Sequence, residues 1–152
     1  MACGGSIKSG HCVADVLREI VAAQNNVVGD CCDSSCEQSI ANLLGETPVP
    51  TNLDTVPVLL YCKDCEPFKG YGAPYDAIAD VVGSFYFRVK SIDERNCAVL
   101  ELLRTEADPA DDPAPATPVT QFTGDLTATG ICMTVDVDCF CHVTCLPAIS
   151  AL

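Results

Sequence analysis

Residues 131–146 read I-C-M-T-V-D-V-D-C-F-C-H-V-T-C-L. Taking every second residue from Met133 gives Met133, Val135, Val137, Cys139, Cys141, Val143 and Cys145, all apolar or thiol. Between them stand Thr134, Asp136, Asp138, Phe140, His142 and Thr144, of which five are polar. Side chains alternate across a strand, whereas a helix would mix the two sets. The stretch therefore predicts one long strand with one buried face. Cys139, Cys141 and Cys145 are expected on that face and Cys132 on the opposite one.

Upstream, Ser84–Ile92 alternates in the same way. Phe85, Phe87 and Val89 are expected on one face, and Tyr86, Arg88 and Lys90 on the other. Asp93–Asn96 is a turn, and Cys97–Arg104 returns as the second strand of a hairpin. Val56–Cys62 is apolar on both faces, the mark of a central strand. Val119–Ala128 reads as a weaker strand that Thr129-Gly130 turns into the last one. Cys62-Lys-Asp-Cys65 is a turn, Phe68–Tyr75 is irregular, and Ala77–Val82 is a short apolar strand or helix.

The N-terminal part differs. From His11, apolar residues Val13, Val16, Leu17, Ile20, Val27 and Val28 recur at helical steps, predicting an amphipathic helix over 11–28 that stops at Gly29. Residues 1–10 are expected to be a mobile tail. Asp30–Glu37 is a polar loop with three thiols, Ser39–Leu44 a short helix ended by Gly45, and Thr47–Asn52 an extended Pro-rich link. Residues 105–118 form an acidic, Pro-rich loop. The fold class that follows is mostly β: an antiparallel sandwich or jelly-roll-like core with one N-terminal amphipathic helix, in a single cysteine-rich domain over 11–152.

Charge narrows the function. The chain has 152 residues, a formal net charge of -13 and only eight Lys and Arg. Phosphate backbones and anionic lipid surfaces would repel it, so neither nucleic acid nor membrane is an expected partner. A mean hydropathy of +0.26 is high for so acidic a chain and suits a surface partly covered by further copies. Residues 1–10 hold one Lys and no apolar run, so no secretory signal is expected. No run approaches the ~18 apolar residues of a spanning helix.

Twelve cysteines in 152 residues exceed what a domain of this size needs for stability. A zinc reading would join Cys62-x-x-Cys65, Cys31-Cys32-x-x-x-Cys36 and Cys139-x-Cys141. The last lies on a strand, a poor knuckle, and the two histidines, His11 and His142, have no spaced partners. A thioredoxin-like role for Cys62 and Cys65 needs a helix N-terminus, and Asp64 and Glu66 would oppose thiolate formation. Cys141 and His142 are neighbours on a strand and point apart. Gly70-Tyr-Gly72 lacks the rest of a phosphate loop, and the acidic loop is solvated. No active site is legible, so no enzyme activity and no cofactor are expected.

Disulfides remain, with small buried thiols as the plain alternative. Cys3, Cys12, Cys31, Cys32 and Cys36, on the tail and polar loop, are the candidates for bonds to another chain. Cys62, Cys65, Cys97, Cys132, Cys139, Cys141 and Cys145 are the candidates for the core or for bonds within the chain.

Several segments, taken in order, resemble spore coat and exosporium proteins of the CotY, CotZ and ExsY type. They are Cys12-Val13-x-Asp15-Val16, the Asp30-Cys31 to Cys36 cluster, Phe85-x-Phe87-Arg88-Val89, Asn96-Cys97-Ala98-Val99-Leu100 and the Cys-x-Cys-x-x-x-Cys ending at 139–145. The resemblance implies a structural, self-assembling protein of the endospore surface, in coat crust or exosporium. Its partners would be itself, in hexameric units of a two-dimensional lattice, and other coat or exosporium proteins. Made in the mother-cell cytoplasm, the chains would assemble first and oxidise as that cell lyses. The rival from another class is a protein that binds zinc or handles thiols through a cysteine cluster.

Overall fold

The computed structural model describes residues 12–26, 32–48, 52–106 and 113–152. The chain divides into two compact units, Met1–Asp33 and Ser34–Leu152. In the first, helix α1 spans Cys12–Asn25. Val13, Val16, Leu17 and Ile20 share one face through their helical spacing. Arg18 donates to Asp15 at 3.1 Å, one turn back. Val27, Val28 and the expected stop at Gly29 lie outside the described residues, as do residues 1–10.

The second unit is mostly β. Helix α2, Cys36–Leu43, begins where Ser35 accepts the N–H of Gln38. It ends before Gly45, whose φ of 75° only glycine adopts at little cost. Seven strands follow among the described residues: β1 Val58–Cys62, β2 Gly70–Gly72, β3 Val82–Ser84, β4 Tyr86–Ile92, β5 Cys97–Arg104, β6 Thr127–Asp136 and β7 Phe140–Cys145. Five of them form one antiparallel sheet in the order β6-β5-β4-β1-β7. β2 and β3 pair as a separate ribbon.

The hairpin of β4 and β5 is where the alternation placed it, with Asn96 at φ 63° in the turn. β1 is indeed central, between β4 and β7. Its residues alternate between two cores. Val58, Phe87, Ala98, Leu100, Leu102 and Ile131 pack on one face of the sheet. Leu59, Phe85, Tyr86, Leu103, Leu126 and Ala151 pack on the other. Each fully buried side chain of this size contributes ~1.5–3 kcal/mol, and Phe87, Leu102 and Leu103 are 0 % exposed. The β2–β3 ribbon covers the first face so closely that a Cβ at Gly70 would collide with Met133 and Phe87.

Four expectations are corrected. First, residues 131–146 are not one strand. A 3-10 turn at Val137–Cys139 splits them, because the Asp136 side chain accepts the N–H of Asp138 at 2.9 Å and caps that turn. The halves, β6 and β7, lie on opposite edges of the sheet. Four residues span at most ~14 Å, while four strand intervals in a flat sheet cover ~19 Å. The sheet must therefore curl. The shortest pairing in it is that of β1 with β4, which share only Val58↔Phe87 and Leu59↔Tyr86. Second, Gly130, at φ 79°, makes no turn between strands: it lies within β6, beside the register shift between Glu101 and Leu103.

Third, residues 119–126 are not strand. Gln121 is buried there; its side-chain oxygen accepts the N–H of Phe85 at 2.9 Å and its amide donates to Ser84 at 2.8 Å. A side chain thus satisfies the backbone that a strand would have paired. Fourth, Phe85 packs with Tyr86 rather than with Phe87. The Ser84 hydroxyl accepts the N–H of Tyr86 and donates to the Leu103 carbonyl, which bends the chain at Phe85. The stretch left irregular at 68–75 contains β2.

Candidate functional site

The chemistry-bearing residues are the thiols. The structure sorts them by the ends of the sheet at which they fall. At one end, α2 runs beside the last residues of β7. The buried Ser39 hydroxyl donates to the Leu146 carbonyl at 2.7 Å, and Cys36 is bonded to Cys145 with Cα atoms 4.8 Å apart. Cys36 was expected to reach another chain; instead it closes a span of 109 residues within its own. Cys12, expected in the same group, is also disulfide-bonded within the chain. Both residues open a helix.

At the other end of β1 and β7, four free thiols meet at a corner. Cys62 ends β1, and the turn after it is closed by the Cys65 N–H donating to the Cys62 carbonyl at 3.0 Å. Cys65 itself stands at φ 69°. Across the pair, Tyr61 faces His142 and Cys62 faces Phe140, so Cys141 is the extra residue of a β-bulge. Its thiol donates to the Cys62 carbonyl at 3.1 Å. Cys139 ends the 3-10 turn that leads into β7. An open apolar hollow of about 300 Å³ lies beside the bulge, lined by Leu60, Val137, Phe140, Cys141, His142 and Val143. Desolvation, then the neighbouring Asp64 carboxylate, Cys139 and Cys141, push the Cys62 thiol above its ordinary pKa. Cys62 is thereby kept protonated and slow to react.

The buried face expected for Cys139 and Cys141 is corrected: both are exposed, as are Cys65 and Cys132. The 3-10 turn and the bulge each reset the alternation, so that only Met133, Val135, Val137 and Cys145 of the expected set pack on the core. Phe140 was the residue out of pattern. It packs edge-on against Phe68, with ring centroids 5.1 Å apart. Cys97 is a half-buried free thiol whose N–H donates to Asp93 at 2.9 Å. Cys132 stands on the outward face of β6, as its phase required. Cys32 is free and exposed; Cys3 and Cys31 lie outside the described residues.

His142 stacks on Tyr61, with ring centroids 4.3 Å apart, and its Nε2 lies 2.8 Å from the Thr144 hydroxyl. It does not address Cys141. Among the described residues, no group of three or more His, Cys, Asp or Glu could hold a metal ion. No helix among them is long and apolar enough to cross a membrane. The site is thus a set of outward-facing thiols on a rigid β frame. Given an oxidant to take up two electrons and two protons, each thiol can form a disulfide with another thiol brought against it.

Comparison with known proteins agrees with the resemblance drawn from the sequence. The family model described as spore coat protein Z matches residues 1–148. Spore coat protein Z of Bacillus subtilis (strain 168) is 29% identical over 153 aligned residues, which cover 93% of this chain and 92% of that one. No solved structure matches.

Proposed function

The chain belongs to the spore coat protein Z family, and from that premise we propose that it is a structural, non-enzymatic component of the spore surface that assembles with further copies of itself into a layer and is then locked by disulfides. One observation carries the reading. Of the seven free thiols among the described residues, Cys32, Cys65, Cys132, Cys139 and Cys141 are exposed. A domain that used sulfur for its own stability would turn these inward and pair them, as it does with Cys36 and Cys145.

Packing comes first in this scheme and sulfur second. Thiols in the reducing mother cell stay reduced. On lysis, molecular oxygen takes two electrons and two protons from a pair of thiols on neighbouring chains and leaves an S–S bond. The corner thiols Cys65, Cys139 and Cys141 are the best placed for this. A hexameric repeat would give such a layer its lattice, and other coat or exosporium proteins would border it. The net charge of -13 opposes packing, so layers form more readily as salt screens it.

The test is electron microscopy of the purified full chain, with parallel elemental analysis. Ordered sheets or shells are expected, which soften in reductant but disperse only when heat or denaturant is added. A monodisperse monomer carrying stoichiometric zinc would overturn the reading. Dispersal by mild reductant at room temperature would overturn the order of events, packing before sulfur.

A further inference from the structure

Among the described residues, the outer edge of β6 is the least protected part of the sheet. A strand at an edge points alternate N–H and C=O groups away from its only neighbour, and folded proteins usually blunt such an edge with Lys, Pro, a helix or a short length. Among the described residues β6 is the longest strand, at ten residues, and pairs only with β5. Its start is covered, since the Ala128 N–H donates to the Ala151 carbonyl at 2.9 Å. From Ile131 to Asp136 no other backbone bond reaches it among the described residues. This stretch has no Lys and no Pro. In a chain of net charge -13, Thr127–Val135 carries no charge at all. Its core-facing side chains are also unfinished, because Met133 and Val135 are only half-buried.

We infer that β6 pairs antiparallel with β6 of a second copy, so that two five-stranded sheets continue as one across a two-fold axis. Alternation fixes the register to those in which core-facing residues meet core-facing residues. The register centred on Met133 satisfies this. It sets Cys132 opposite Thr134 of the second copy and keeps the two Asp136 carboxylates apart, each opposite Gly130. Core faces then run on across the axis, and Met133 and Val135 are covered. A two-fold contact closes on itself and gives a dimer only. Edge pairing therefore rests on the layer-forming role proposed above for its purpose, and the surface around the thiol corner at the start of β7 supplies the distinct packing contact by which dimers would extend before sulfur locks them.

The measurement is sedimentation of the full chain in reductant over a concentration series, with amide hydrogen exchange along 131–136. Expected, at concentrations below those at which sheets form, are a reversible dimer and protection of these amides that grows with concentration. The double variant Cys132→Asp with Thr134→Asp places like charges opposite one another and should raise the dimer dissociation constant roughly tenfold or more. Cys132→Ser should leave the dimer intact, because pairing needs no sulfur, and so should Thr144→Asp on β7. Circular dichroism of each variant should match the native chain. Edge pairing is wrong if the native chain sediments as a monomer with fast exchange along β6 at every concentration. It is equally wrong if the double variant associates as well as the native chain. Sheets that form from the double variant would sink edge pairing and leave the layer standing. Dimers that pair through β6 and never extend would uphold edge pairing and sink the layer.

Discussion

The two edges of the five-stranded sheet are made from one run of sequence, separated by three residues, and they are finished in different ways. β7 is short, bulged at Cys141, flanked by α2 and tied to it by the Cys36–Cys145 bond and the Ser39 hydrogen bond. β6 is long, regular beyond Gly130 and bare on its outer side among the described residues. Both are edges by topology, but only one is treated as a hazard. A bare edge in a protein that elsewhere guards its edges is where pairing with a second copy is expected.

The comparison can be broken first at the bond. Cys145→Ser removes a crosslink that closes 109 residues, and the expected loss is about 2–5 kcal/mol of stability. Thermal melting of the reduced and oxidised native chain beside the variant measures it. Amide exchange should quicken along β7 and α2 far more than along β6. Equal quickening at both edges would mean that the bond stabilises the unit as a whole and does not single out one edge.

A smaller effect is expected on the other side. Gly130 has open space around it but stands at φ 79°, so Gly130→Ala meets no neighbour and still strains the backbone. About 1–2 kcal/mol should be lost, with exchange quickening at the start of β6 while β7 is unchanged. No loss would mean that the kink at Gly130 relaxes freely and does not set where regular pairing begins.

The smallest effect concerns rate rather than stability. Desolvation and the nearby Asp64, Cys139 and Cys141 raise the Cys62 pKa. A raised pKa keeps the thiol protonated at pH values where an ordinary thiol has begun to ionise, and only the thiolate reacts. Timed alkylation with mass mapping should find Cys62 the slow member of the corner, its rate rising only at pH above the ordinary thiol range. Cys62 reacting as fast as the exposed Cys65 would show that the corner is more open than its geometry implies.

The parts legible in the sequence are those in which periodicity and burial agree. β4, β5 and β1 are interior strands that the sequence placed, and Phe87 sits where alternation puts it because both neighbours hold its strand in phase. The break at 137–139 was hidden because Asp136 and Asp138 satisfy two rules at once. They keep the polar beat of a strand, and they also cap a turn. Phe140 carried the one visible signal of a reset. The Cys36–Cys145 pairing was beyond reach, since spacing along the chain says nothing about distance across 109 residues. The exposed thiols were misplaced by two local resets: the 3-10 turn takes Cys139 out of the strand, and the bulge makes Cys141 an inserted residue with no partner opposite.

The bond between Cys36 and Cys145 turns most of the described β unit into a closed ring of chain. A protease that cuts any loop inside the ring opens it without releasing a fragment, for the two new ends remain joined through sulfur. The two pieces of a molecule nicked once within this ring thus stay together, which is a useful tolerance in a spore coat protein.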